Sequence, residues 1–209
     1  RGASFFPGGT SKDTKHFVVL GGYACRVYTL EKTLKSWRVS WKDVEIDLGD
    51  LGAGGPMGGI VSQFEEDSDV RLNCHTWMPD GTLWLGNKKG ELFSCAPLAE
   101  SETGEQLDTV PILKSRFMHE LTIANEDFGI AALFVTKDAL IVVGNAGEVQ
   151  WMDRQADECI HYEKTNSPNV CSVDMNASYD TLAVGSTAGV ITFINTVKKE
   201  GEEGDEASQ

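Results

Sequence analysis

The sequence predicts an all-β protein, a partial β-propeller of about four blades with degenerate repeats, followed by a disordered acidic C-terminal tail. Three observations carry this expectation. A short unit of the form apolar-x-apolar-Gly recurs four times, and each copy is followed by a brief turn and an alternating strand. Hydrophobic residues make up 41% of the 209 positions, enough to build a core and to exclude general disorder. Glycine is frequent, 22 against 6 prolines, which supplies many turns.

The units follow one another along the chain. Val18-Val19-Leu20-Gly21, Leu83-Trp84-Leu85-Gly86, Ile141-Val142-Val143-Gly144 and Leu182-Ala183-Val184-Gly185 are the four copies. The strands after them read Cys25-Arg26-Val27-Tyr28-Thr29, Glu91-Leu92-Phe93-Ser94-Cys95, Glu148-Val149-Gln150-Trp151-Met152 and Val190-Ile191-Thr192-Phe193-Ile194. Period-2 alternation with β-branched and aromatic residues predicts strands, and the Gly-containing connectors predict hairpins. An earlier strand precedes each copy, over residues 3–6, 72–78, 130–135 and 170–175. A fourth strand is predicted for the first three units, over residues 36–41, 110–115 and 159–163, and none for the last.

The marker glycines lie 65, 58 and 41 residues apart, from Gly21 to Gly86, on to Gly144 and on to Gly185. The longer spacings imply insertions at 45–69 and 97–109 within a propeller spanning 1–197, with the tail at 198–209. Runs such as Phe17-Val18-Val19-Leu20 are apolar throughout, as expected of sheets covered on both faces. Closure protects the sheet edges of such an array. An ordinary β-sandwich is the competing reading.

Composition excludes several functions. With 18 Lys plus Arg against 32 Asp plus Glu, the net charge is −14, which disfavours a nucleic-acid surface. No apolar run reaches the length of about 18 residues that marks a membrane-spanning helix, so no membrane partner is expected. The chain opens on Arg1 and lacks a signal-peptide pattern, which reads as a fragment.

Chemistry-bearing motifs are scarce. Cys25, Cys74, Cys95, Cys159 and Cys171 form no CxxC pair and read as buried core thiols, Cys171 most clearly, in a reducing cytosolic compartment. No metal site, cofactor or catalytic residue is expected, since nucleophile-elbow, P-loop and HExxH motifs are absent. His75 reads as a buried or edge histidine hydrogen-bonded within its sheet. The stretch Gly52-Ala53-Gly54-Gly55-Pro56-Met57-Gly58-Gly59 reads as a flexible insertion, and Glu65-Glu66-Asp67-Ser68-Asp69 as a solvated acidic loop. Trp37 and Trp41 share one face of a strand, with Arg38 between them. They serve either core packing or a partner-binding patch, because Trp and Arg are favoured at interface hot spots.

On these residues the chain resembles the WD40-repeat family. Its shortest spacing matches a WD40 blade of about 40–45 residues. Trp151-Met152-Asp153 and Phe193-Ile194-Asn195 stand where a Trp-Asp pair ends the third strand of a regular blade. No Gly-His pair occurs, so blade stability is expected to rest on apolar packing. A narrower resemblance, covering about residues 3–196, is to the large WD40 proteins of motile cilia. It is carried by Cys74-His75-Thr76-Trp77-Met78-Pro79-Asp80-Gly81-Thr82-Leu83-Trp84-Leu85-Gly86-Asn87-Lys88-Lys89-Gly90-Glu91-Leu92-Phe93 and by the order of the blades around it. That resemblance implies a non-catalytic scaffold in the cytoskeleton of the cilium or flagellum, helping to tether inner-arm dynein to doublet microtubules through other axonemal proteins. Tubulin is acidic, so direct electrostatic binding of this chain to a microtubule is not expected. A general cytosolic WD40 adaptor and a propeller hydrolase are the alternatives.

Overall fold

β-Branched and aromatic residues in short alternating runs form strands close to the predicted places, and the turns between them fix their pairing. The computed structural model describes residues 2–7, 13–21, 24–47, 72–95, 114–120, 129–155, 158–166 and 169–197. The glycine-rich stretch, the acidic loop, residues 97–109 and the tail at 198–209 lie outside the described residues. No helix among the described residues is long and apolar enough to cross a membrane.

The first sheet pairs β1 (Gly2–Phe5), β2 (Thr14–Gly21), β3 (Ala24–Lys32) and β4 (Trp37–Asp43) antiparallel in that order. The chain then forms β5 (Glu45–Asp47) and, further on, β6 (Leu72–Trp77), β7 (Leu83–Asn87), β8 (Glu91–Cys95) and β9 (Lys114–Glu120). These make the second sheet, with β5 lying parallel to β9 at its outer edge. The third sheet is β10 (Ile130–Val135), β11 (Leu140–Gly144), β12 (Glu148–Met152) and β13 (Cys159–Lys164), and the fourth is β14 (Val170–Met175), β15 (Thr181–Ser186) and β16 (Ile191–Asn195). The first strands of the four sheets lie against one another, β1 by β6, β6 by β10 and β10 by β14, so the sheets radiate from a common centre. Among the described residues this is a partial β-propeller of four blades in chain order, and apart from the short β5 each sheet is built from a single repeat unit, where a sandwich would interleave them.

Two boundaries differ from the sequence reading. Glu45–Asp47 opens the expected insertion but forms β5, which straps the first blade to the rim of the second. The strand expected over 110–115 is β9, beginning at Lys114, so the two share only Lys114 and Ser115.

Three hairpins between second and third strands share one turn. Gly90, Gly147 and Gly189 have φ of 87°, 91° and 79°. Their N–H groups donate to the carbonyls of Asn87, Gly144 and Ser186 three residues earlier. Only glycine adopts that left-handed conformation without cost, and it lets the turn follow the twist of the strands.

The core lies between the blades. Val18, Leu20, Cys25 and Val27 of the first blade meet Trp77, Leu83, Leu85 and Phe93 of the second. Met78, Trp84 and Leu92 on the far side of the second meet Ile130, Leu133, Leu140 and Val142 of the third. Ile141, Val143, Val149 and Trp151 then meet Leu182, Val184 and Ile194 of the fourth. Each blade thus has a rear face toward its predecessor and a forward face toward its successor. Burying one such side chain contributes about 1.5–3 kcal/mol.

The repeat register holds a correction. Gly86 pairs with Cys74 and Gly185 with Ser172, but the residue in that position of the third blade is Val143, paired with Ala132. Gly144 stands one residue further on, level with Asn87 and Ser186. The glycines therefore mark two adjacent positions and not one. Gly86 occupies a tight contact: a Cβ there would lie 2.8 Å from Ile130 Cγ2 of the next blade and 2.8 Å from Cys74 Sγ.

Local polar contacts secure the blades around their turns. In the third blade Gly147 O accepts from Thr165 N at 2.8 Å and from Thr165 Oγ1 at 2.9 Å. Beside it Lys164 Nζ donates to the fully buried Glu148 at 3.0 Å. In the second blade Asn87 Oδ1 accepts from the N–H groups of Lys89 and Glu91. Apolar packing carries most of the burial; of the buried polar residues, Asn87, Glu148 and Ser186 lie at strand ends beside turns, and Thr29 and Gln150 lie within strands.

Candidate functional site

The first blade builds the most distinctive surface of the molecule on its rear face. Its register aligns one aromatic from each strand, Phe5 opposite Phe17, Phe17 opposite Tyr28 and Tyr28 opposite Trp41. Phe5 and Phe17 lie 5.4 Å apart, and Phe17 and Tyr28 stack at 4.9 Å with 9° between their planes. The turn at Thr33 to Ser36 sets the pairing of Tyr28 with Trp41, because Thr33 Oγ1 donates to Ser36 O at 2.8 Å and accepts from Ser36 N at 3.0 Å. Shifting that pairing by one residue would carry Trp41 to the opposite face.

At the outer strand β4, Trp37 is 49% and Trp41 50% exposed, and Val39 between them is exposed as well. Each of these tryptophans is thus about half covered within the described residues. Arg38 is exposed but alternates to the other side of the strand, opposite Glu31. The cation that accompanies the aromatics is instead Arg26, whose guanidinium carbon lies 4.3 Å from the Trp41 ring centroid. Asp43 holds it there through Arg26 Nε at 2.6 Å. That hydrogen bond raises the Arg26 pKa and keeps the cation fixed over the ring. The sequence pointed to Trp37, Arg38 and Trp41. It missed Arg26, Phe5, Phe17 and Tyr28, which only the pairing register brings to the same face. An amphipathic plane of this kind, apolar with a fixed cation, is suited to hold another protein.

His75 lies in β6 before Trp77 as expected, but the partner differs: its Nε2 is 2.8 Å from Ser4 Oγ of the first blade, so the hydrogen bond joins two blades. Burial pushes its pKa down to about 4, leaving the ring neutral at physiological pH. The cysteines divide. Cys25 and Cys95 are buried and Cys74 partly so, whereas Cys159 and Cys171 are exposed. Cys171 is the extra residue of a bulge between Val170 and Ser172, and Cys159 begins an outer strand that faces solvent throughout. The reading of Cys171 as the clearest core thiol is therefore wrong. Burial raises Cys74 and Cys95 to about 12, so these thiols stay protonated and unreactive. Among the described residues no three His, Cys, Asp or Glu side chains group to hold a metal.

No protein-family model matches the sequence. No curated protein matches it either. Solved structures do. The crystal structure of the WD40 β-propeller domain of Doa1 is similar with a TM-score of 0.48 at 11% identity, over 90% of this chain and 50% of that one. A chain in the crystal structure of the mitotic checkpoint complex is similar with a TM-score of 0.50 at 15% identity, over 92% of this chain and 50% of that one. At such identity the likeness concerns the fold alone. The blade order above defines the class: a partial β-propeller. The chain spans about half the length of the chains it matches.

Proposed function

We propose that this protein is a non-catalytic scaffold that binds other proteins, and that it serves in the axoneme of motile cilia or flagella. The observation that carries the scaffold reading is the exposed apolar strip Trp37, Val39 and Trp41 on an outer strand, with Arg26 fixed over Trp41. Outer strands form the rim of a propeller, where a partner has free access. The ciliary reading is supported by the resemblance of residues 74–93, and of the blades around them, to cilia- and flagella-associated protein 43 and to the related protein 57. Its partners would be components of the tether between inner-arm dynein and the doublet microtubule. A net charge of −14 argues that microtubule attachment runs through those components.

The test is localisation of the tagged chain in motile ciliated cells, followed by detergent extraction of the cilia. The expected result is retention on the extracted axoneme, lost in a W37A/W41A double variant that still folds. Retention on non-ciliary assemblies, with the same dependence on the two tryptophans, would keep the scaffold and replace the axoneme with a general cytosolic adaptor role. Retention that ignores the tryptophans would remove the strip from the binding site.

A further inference from the structure

Both ends of the array expose faces that are buried at every interior interface. On the rear faces of the second, third and fourth blades, Leu83, Leu140 and Leu182 share one register position, each at 0% exposure. Phe17 holds that position in the first blade, only half-buried, and Phe5 beside it is 64% exposed. On the forward faces, Val27 and Trp151 are buried by the next blade. Phe193, at the matching position of the fourth blade, is 70% exposed, with Ile191 exposed next to it.

We propose that these faces cover one another between two copies of the chain. The forward face of the fourth blade in one copy packs on the rear face of the first blade in the other. A two-fold axis repeats the contact and closes eight blades into one ring. Two features select a second copy as the occupant. The contact reproduces the forward-to-rear packing that the chain already uses at each of its interior interfaces. The charges also complement each other. Lys15 and Lys32 stand on the rear face of the first blade, in line with Phe17 and Leu30. Asp174 stands on the forward face of the fourth, between Val173 and Met175, which turn inward. Eight blades lie within the usual four to eight of closed propellers. A heterologous contact that closes on itself gives a finite assembly and not a fibre. Outer strands remain exposed even at an interior interface, as β13 does, so closure leaves Trp37 and Trp41 accessible at the rim.

Analytical ultracentrifugation of the 209-residue chain at micromolar concentration tests this, with Phe5→Glu and Phe193→Glu as variants. Both side chains are exposed within one copy, so each variant should keep the far-ultraviolet circular dichroism of the parent. The parent should sediment with twice the mass of one chain. Each variant alone should dissociate, its dimer weakened about tenfold or more by a charge placed in a desolvated contact. Mixing the two variants should restore part of the association, because one of the two contacts in the mixed dimer then carries both native phenylalanines. A monomeric parent overturns the proposal. So does a dimer indifferent to Phe193→Glu, an open series of larger species, or a mixture no stronger than its components, which would indicate like faces packed together.

Discussion

Replacing Leu85 by alanine probes the packing between the first and second blades. Leu85 is fully buried and packs in the cluster that holds Val18, Leu20 and Val27 of the first blade. Removing three carbons loses about 2.4 kcal/mol of transfer free energy, at about 0.8 kcal/mol for each. The cavity adds to this, since strands held on both sides by hydrogen bonds collapse poorly into the gap. The expected destabilisation is about 3–4 kcal/mol. Urea unfolding at one fixed protein concentration, followed by the fluorescence of buried Trp77 and Trp84, measures it. Leu34→Ala, in a fully exposed turn, is the control and should change stability by less than about 0.5 kcal/mol. If Leu85→Ala costs no more than that control, its face is not covered by another blade, and the stacked arrangement is wrong.

Acid should weaken the fold through His75, whose pKa is about 4 in the folded chain and near its ordinary 6.5 when unfolded. The unfolded chain then binds the extra proton between those values, so stability is full above about pH 6.5 and declines towards pH 4, by at most about 3 kcal/mol. His16 is shifted the same way by burial and adds to the decline. His75→Gln should flatten this part of the stability–pH curve, and an unchanged slope would show that the imidazole is not protected by the first blade. Gly86→Ala should cost about 1–3 kcal/mol by overpacking Ile130 and Cys74. Gly21→Ala, where an added Cβ meets nothing within 4 Å, should be neutral or slightly stabilising by the same urea assay. Equal effects at the two glycines would contradict the close approach of the third blade to the second.

Strand identity was legible in the sequence because alternation and turn residues are local signals. Strands β10 and β14 coincide with the expected ranges. Register was not legible. The glycine pattern aligned Gly144 with Gly86, yet a one-residue offset in a period-2 structure swaps the faces, and Ile141 and Leu83 consequently face opposite neighbours. The bulge that exposes Cys171 is another event of pairing, invisible in an apolar run. The candidate surface was half legible for the same reason. Two tryptophans four residues apart announce themselves, but Arg26 joins them only through the β3–β4 pairing set by the Thr33 turn, and Phe17 only through the β2–β3 pairing. Strand β5 escaped notice because three residues beside a glycine-rich stretch carry no periodicity.

Nuclear Overhauser contacts between methyl groups of the isotope-labelled chain test the sequential stacking of blades most directly. The account predicts contacts from Leu20 and Val27 to Leu83 and Leu85, from Leu92 to Ile130 and Val142, and from Ile141 and Val143 to Leu182 and Val184. No contacts should join Val18 or Val27 to Leu182 or Val184, either within one copy or between two. Cross-peaks between those first-blade and fourth-blade methyls would place the sheets face to face as a sandwich and contradict the propeller.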